Sequence, residues 1–314
     1  MILTIEKLNK IIAERPNALF DVVVIMDNIC NADCPVCVAK HKIKNDKCKE
    51  QCAAYTIQCA RCCDRTASDE VFFSKLEDLI RKLRNRVTRF IVTGGEPSIS
   101  TRLNRTMTLL NKYRIKNISL ETNGTNIGDV DMMSMMMSNN VEILLSRYSI
   151  DDAVNIESFG GCEEIPNNYV LRQVAKHYGH KMTLNCILMS NNVDNATKLL
   201  EYQSYYKQMG IERFNFTELM FDVNLKDNNK DIYNIYIKKV IPIEKIAEEL
   251  ISMGFRKIID TGDSYRIIGL MKGDNYIELS RADMSKIATE HQNNEVYTKL
   301  LMYPSGEVGV HSVE

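Results

Sequence analysis

Eight of the ten cysteines lie between Cys30 and Cys63. Thiolates are ligands for iron–sulfur clusters and zinc, and clustered cysteines in a reducing compartment bind metal more often than they pair as disulfides. They fall into two groups. Cys30, Cys34 and Cys37 follow an apolar, β-branched run at residues 21–27. Three thiolates at this spacing can cap three irons of a cubane cluster and leave the fourth iron open to a small ligand. A zinc knuckle or an ordinary ferredoxin-type cluster would use the same residue type. Cys48, Cys52, Cys59, Cys62 and Cys63 form the second group, with Lys42, Lys44, Lys47 and Lys49 nearby. Four of these five can hold a second metal. A structural Zn2+ stapling an insertion at 42–66 is the first reading, and an auxiliary iron–sulfur cluster is the second.

Two further motifs follow. Thr93-Gly94-Gly95-Glu96-Pro97 ends one apolar run, and Glu121-Thr122-Asn123-Gly124 ends the next. Glycines let backbone approach a ligand closely, and a carboxylate beside them can accept from an ammonium group. Either motif alone is an ordinary turn. Both stand at the ends of strand-like runs, as the first cysteine group does.

The elements that must position these residues alternate. Strand-like runs begin near residues 21, 90, 118, 142, 183 and 213. Helical patterns lie at 68–86, 101–113, 129–139, 166–179 and 194–209. This alternation argues for a parallel sheet covered by helices, with loops at the strand C-termini carrying the chemistry. The expected architecture is α/β: a partial (β/α)6 TIM-like barrel over residues 18–222, behind an N-terminal helix at 1–17. Residues 231–253 read as one or two helices broken near Pro242. Short strand-like runs after Gly254 complete an α+β extension at 223–314. Residues 303–307 read as a turn between two of its strands.

Composition sets the limits. The 314 residues carry 40 Lys+Arg and 41 Asp+Glu, a net charge of -1, so there is no bulk attraction to nucleic acid or an anionic membrane. No apolar run is long enough to span a bilayer. The N-terminal stretch is amphipathic, with Leu8, Ile11 and Ile12 on one face. It lacks the apolar core and cleavage site of a secretory signal, so a cytoplasmic location is expected.

The cysteine run at Cys30, Cys34 and Cys37, together with Gly94-Gly95-Glu96, resembles the radical S-adenosylmethionine (radical SAM) superfamily. The resemblance covers residues 18–220. It implies a [4Fe–4S] cluster that binds the methionyl end of SAM and cleaves it reductively. The resulting 5′-deoxyadenosyl radical would abstract hydrogen from a small-molecule or peptide substrate, with a flavodoxin- or ferredoxin-type protein as electron donor. The segments around residues 120–124, 144–146, 184–195 and 213–220 are similar to the molybdenum-cofactor GTP cyclase. By that similarity Thr122, Asn123, Ser146, Asn185 and Met220 would join Gly94, Gly95 and Glu96 in contacting SAM. The departures matter too. Val23 and Ile91 stand where the cyclase has GTP-binding arginines, and no cysteine follows Cys186 to hold its C-terminal cluster. GTP cyclase activity is therefore not expected. Val36 replaces the aromatic residue that usually precedes the third cysteine.

The remaining candidates stand on single residues. Cys162 could donate hydrogen to a product radical, although a buried inert thiol is the commoner outcome. Arg147, Tyr148 and Glu218 sit at strand ends where a substrate could reach them. His177, His180, His291 and His311 show no ligand spacing. The methionines at 132–137 read as helical core packing, and Cys186 as structural. The competing function is a metal-binding or iron–sulfur electron-transfer protein without SAM cleavage. An intact Gly-Gly-Glu argues against it, because an electron carrier needs no ammonium site.

Overall fold

The computed structural model describes residues 5–14, 17–37, 66–83, 85–220, 230–262, 265–282 and 299–310. The insertion cysteines Cys48, Cys52, Cys59, Cys62 and Cys63 lie outside the described residues. In chain order the elements begin with α1 (Ile5–Glu14), β1 (Phe20–Ile25), α2 (Asp69–Leu83), β2 (Val87–Thr93), α3 (Leu103–Lys112), β3 (Ile118–Thr122), α4 (Val130–Ser138) and β4 (Glu142–Ser146). They continue with α5 (Asp152–Ser158), α6 (Asn168–Tyr178), β5 (Met182–Leu188), α7 (Ala196–Lys207), β6 (Arg213–Glu218), α8 (Lys230–Lys239) and α9 (Ile243–Ser252). Five strands close the chain: β7 (Arg256–Asp260), β8 (Tyr265–Lys272), β9 (Asn275–Ala282), β10 (Lys299–Met302) and β11 (Val308–Val310). The chain is α/β, and its central strands pair in parallel.

Two compact units divide it. The first takes in Met1–Asn31, Ile43–Ile143 and Glu290–Glu314; the second takes in Ala32–Lys42 and Leu144–Thr289.

In the first unit the strand order is β11-β10-β1-β2-β3. β10, β1, β2 and β3 run parallel, and β11 turns back antiparallel to β10. Val22 is in register with Phe90 on one side and Leu300 on the other, so three strands contribute buried apolar side chains at one level. Phe72, Leu76, Leu79, Ile80 and Leu83 recur at helical spacing along α2 and pack into the same core. Leu8 and Ile11 of α1 join it, with Ile12 partly buried beside them. Met132, Met133 and Met136 of α4 are buried, as core packing requires. Asp129 caps α4 by accepting from the Met132 N–H at 2.7 Å, a bond worth about 1 kcal/mol.

In the second unit the order is β5-β6-β9-β8-β7, with β5, β6 and β9 parallel and the rest antiparallel. Phe216 of β6 lies opposite Cys186 of β5 and Leu279 of β9, all buried. Tyr202 of α7 meets Phe216 edge-on, with ring centroids 5.7 Å apart. Residues 231–253 do form two helices, divided at Pro242. Proline has no side-chain cap to offer α9. Glu218 supplies it instead, accepting from the Ile243 N–H at 3.0 Å.

The strands after Gly254 are shared between the units. β9 extends the second unit's sheet from β6, and β10 extends the first unit's sheet from β1. Residues 303–307 form the expected turn: Gly306 N–H donates to Tyr303 O at 2.8 Å, and Tyr303 N–H to Glu307 O at 2.9 Å.

Candidate functional site

Three strand ends meet in the first unit. β1 and β2 stay paired beyond their last ladder residues. Met26 N–H donates to Thr93 O at 3.0 Å, Gly95 N–H to Asp27 O at 3.1 Å, and Glu96 N–H to Ile29 O at 2.7 Å. The Gly-Gly-Glu turn is thereby tied to the residue immediately before Cys30. Gly95 is required for this approach: a Cβ there would lie 1.9 Å from the Ile29 carbonyl oxygen. The loop doubles back through Asp27, whose carboxylate accepts from the Ile29 N–H at 3.0 Å and from the Ser100 hydroxyl.

The Glu96 carboxylate is 1% exposed. One oxygen accepts from the Thr122 hydroxyl at 2.5 Å and from the Ser98 N–H at 2.9 Å; the other accepts from the Asn123 N–H at 2.6 Å. Burial pushes its pKa up, and the three hydrogen bonds oppose that rise. Among the described residues no basic side chain forms an ion pair with it. Such a carboxylate is oriented by its donors and lowered in energy by any cation that reaches it.

Asn123 is fixed as firmly. Its side-chain oxygen accepts from the Thr125 N–H at 2.9 Å and the Thr125 hydroxyl at 2.7 Å, and its amide donates to Asn31 at 3.1 Å. Asn31 in turn donates to the Thr125 hydroxyl at 2.8 Å. Arg102 braces the same region from below. It donates to Met26 O at 2.8 Å, Ala67 O at 2.7 Å, Asp69 at 2.8 Å and Pro304 O at 3.3 Å, and its guanidinium lies over the Phe72 ring.

Cys34 and Cys37 belong to the second unit. Cys37 N–H donates to Cys34 O at 3.3 Å, closing a turn with Pro35 at its second position, where the fixed proline φ suits it. Asp33 N–H donates to Phe159 O at 3.1 Å. Phe159 stacks on Tyr148, centroids 4.9 Å apart and planes within 10°. Burial drives the Tyr148 pKa up; the neighbouring Cys34 and Cys37 add to that, while a hydrogen bond from the Ser146 side chain opposes it.

The other expected site residues of this unit are spread out. Asn185 accepts from Asn215 at 2.8 Å on neighbouring strands. Met220 is 39% exposed just past β6. Cys162 is buried. Cys186 is fully buried, its thiol against Tyr148 O and its pKa raised by burial, which fits an inert structural thiol. Arg147 differs from its reading as a substrate contact. It is 1% exposed and donates to Tyr206 at 2.9 Å, Pro166 O at 2.7 Å, Asn168 at 3.0 Å and Asp152. It ties β4 to α5 and α6.

None of the five described cysteines is in a disulfide, and Cys30, Cys34 and Cys37 are each partly exposed. Among the described residues no three His, Cys, Asp or Glu side chains are already gathered tightly enough to hold a metal ion. The donor set, three thiols on one loop with no competing disulfide, fits an iron–sulfur cluster chemically. No helix among the described residues is long and apolar enough to cross a membrane.

The sequence matches no protein-family model and no curated protein. Its fold does match solved structures. Coproporphyrinogen III oxidase (HemN) from Escherichia coli, a radical SAM enzyme, aligns with a TM-score of 0.50 at 10% identity, over 93% of this chain and 73% of HemN. The chain shares its fold with a radical SAM enzyme. SuiB from Streptococcus suis bound to precursor peptide SuiA aligns with a TM-score of 0.52 at 12% identity, over 96% of this chain. The chain spans 63% of SuiB's length in that alignment, and 49% in the SuiB structure bound to S-adenosylmethionine. At these identities the fold alone is what is shared.

Sequence reasoning missed Asn31, Asp27 and Arg102. Asn31 adjoins Cys30 and Asp27 follows β1, so their places in the chain were a signal. Arg102 had none, because its partners lie up to 202 residues away.

Proposed function

We propose that this protein is a radical SAM enzyme acting on a small-molecule or peptide substrate. The observation that carries the reading is the buried Glu96, oriented by Thr122, Ser98 and Asn123 and joined through its own N–H to Ile29, next to Cys30. An electron carrier has no use for an oriented carboxylate near Cys30 that has no ion-pair partner among the described residues.

In this reading Cys30, Cys34 and Cys37 would hold a [4Fe–4S] cluster. Such a cluster would supply the electron for reductive cleavage of SAM, the source of a 5′-deoxyadenosyl radical that would take hydrogen from the substrate. Glu96 accepts from the methionyl ammonium. Gly94 and Gly95 keep side chains out of the way, and Thr122 and Asn123 shape the turn beside it. Ser146, Asn185 and Met220 contact the rest of SAM. Cys162 is the candidate donor of hydrogen to a product radical.

The six strand–helix units of residues 18–222 form a partial barrel in this reading, preceded by the helix at 1–17 and completed by 223–314. The insertion at 42–66 holds Zn2+ or an auxiliary cluster on four of its five cysteines. A protein of the flavodoxin or ferredoxin type supplies electrons in the cytoplasm. The peptide-bound state of SuiB makes a peptide substrate a specific possibility to test.

The variants Cys30→Ala, Cys34→Ala and Cys37→Ala test the assignment. Each should lose SAM cleavage and most of the iron attributable to one cluster while keeping a folded circular dichroism spectrum. Cleavage at the parent rate in Cys34→Ala would overturn it.

A further inference from the structure

We propose that Tyr148, Phe159 and Gly160 form a seat for the loop carrying Cys34 and Cys37, and are positioning residues for those two thiols. The inference rests on the cluster reading above and lies wholly within the second unit.

Gly160 is in the left-handed region, with φ +72°. A Cβ there would lie 2.3 Å from Asp33 O and 2.9 Å from Asp33 Cα. The loop backbone therefore rests directly on the glycine, one residue before Cys34. Its neighbour Phe159 holds the same residue, its carbonyl accepting the Asp33 N–H at 3.1 Å. The Phe159 ring is itself held, stacked face to face on buried Tyr148.

Tyr148 is fixed in turn. Its N–H donates to Asn155 Oδ1 at 2.9 Å, and that oxygen also accepts from Ser149 N–H at 3.1 Å. Asn155 is fully buried, and its amide donates to Ser149 O and Asp151 O, both at 2.7 Å. The short helix α5 is thus locked to the end of β4 at its start. Phe159 and Gly160, which follow it, touch the loop at Asp33. A loop whose backbone is already fixed loses less freedom when its thiols close on a metal, the general advantage of outer support around a ligand set.

Gly161 provides the matched control. It too is left-handed, with φ +84°, but a Cβ there would meet nothing within 4 Å. Gly160→Ala and Gly161→Ala therefore share the backbone strain, and only the first displaces Asp33.

The test alkylates the reduced, metal-free protein with iodoacetamide and follows each cysteine by peptide mass spectrometry. Cys34 and Cys37 should react at least about threefold faster in Gly160→Ala than in Gly161→Ala, because thiol reactivity follows exposure. Cys186 should stay unreactive in both, reporting an intact fold. After anaerobic reconstitution, Gly160→Ala should hold at most about half the iron of Gly161→Ala, from a full cluster of about four. Tyr148→Phe should keep the parent's iron and the electron paramagnetic resonance signal of its reduced cluster, whereas Tyr148→Ala should lower the first and shift the second.

Equal alkylation rates in the two glycine variants would overturn the proposal. If Gly160→Ala exposes Cys186, it has unfolded, and the two Tyr148 variants decide on the same readouts: indistinguishable behaviour overturns the seat. A parent that binds no iron, with the alkylation difference intact, would refute the cluster reading and leave the seat standing.

Discussion

Glu96 donates its N–H to the carbonyl of Ile29 at 2.7 Å, so the turn bearing the buried carboxylate is hydrogen-bonded to the residue before Cys30. The bond exists because β1 and β2 are parallel and in register up to Ile25 and Thr93. Their loops leave the sheet side by side, and backbone pairing continues into them. The relation between the residue before Cys30 and the Gly-Gly-Glu turn is thus built by the sheet.

Gly95→Ala tests that relation. The added methyl would lie 1.9 Å from Ile29 O and 2.3 Å from its carbonyl carbon, and no rotamer can relieve a clash of backbone with Cβ. The expected loss is about 3 kcal/mol of unfolding free energy by urea titration, at the upper end for single substitutions. SAM affinity should fall as well. A midpoint equal to the parent's would show that the loops are not held together as described.

Glu96 predicts a pH dependence. Burial raises its pKa in the folded protein, so the native state holds this proton more tightly than the unfolded chain does. Its contribution to stability is full below the ordinary carboxylate range and is lost as pH rises through the raised native value. Glu96→Gln lacks that titration. The melting temperature of the parent, minus that of Glu96→Gln, should therefore fall as pH rises above the ordinary carboxylate range. SAM should reduce the fall, because an ammonium group favours the carboxylate. A difference that rises with pH would reverse the assigned cause.

Arg102 joins the end of β1, the start of α2 and the C-terminal turn through Met26, Asp69, Ala67 and Pro304. Lysine cannot reproduce a planar fork with several donors. Arg102→Lys should cost about 3 kcal/mol, in the range for breaking a buried charged network. A change under about 0.5 kcal/mol, as for an ordinary surface substitution, would contradict the bracing role.

Arg147 carries the matching prediction for the second unit. With its donors committed to Tyr206, Pro166, Asn168 and Asp152, Arg147→Lys should lower the melting temperature while leaving SAM affinity within about twofold of the parent in the folded fraction. A large loss of SAM affinity without a change in melting temperature would restore it as a ligand contact.

The alternation of strands and helices was legible because each element carries its own period. β4 matches its expected bounds, and α2 and α4 lie within one to three residues of theirs. The short helix α5 was not legible: seven residues capped by Asp151 give too little periodicity to register. Nor could strand partners be read. The apolar runs at β9 and β10 were visible as strands, but their pairing with β6 and β1 depends on where a long chain returns. The site divides similarly. Gly94, Gly95, Glu96, Thr122 and Asn123 stood out as turn motifs. Asn31, bonded to Asn123 and Thr125, and Arg102, bonded to Met26, Ala67, Asp69 and Pro304, act through long-range hydrogen bonds with no local pattern.

The most direct measurement is anaerobic reconstitution with iron and sulfide, followed by SAM and dithionite, with metals counted per chain and 5′-deoxyadenosine quantified. The account predicts about four irons for the Cys30–Cys34–Cys37 cluster, more if the insertion holds a second, and 5′-deoxyadenosine that disappears in Cys34→Ala. Bound iron with no 5′-deoxyadenosine would contradict the radical SAM reading and leave an iron–sulfur protein that does not cleave SAM.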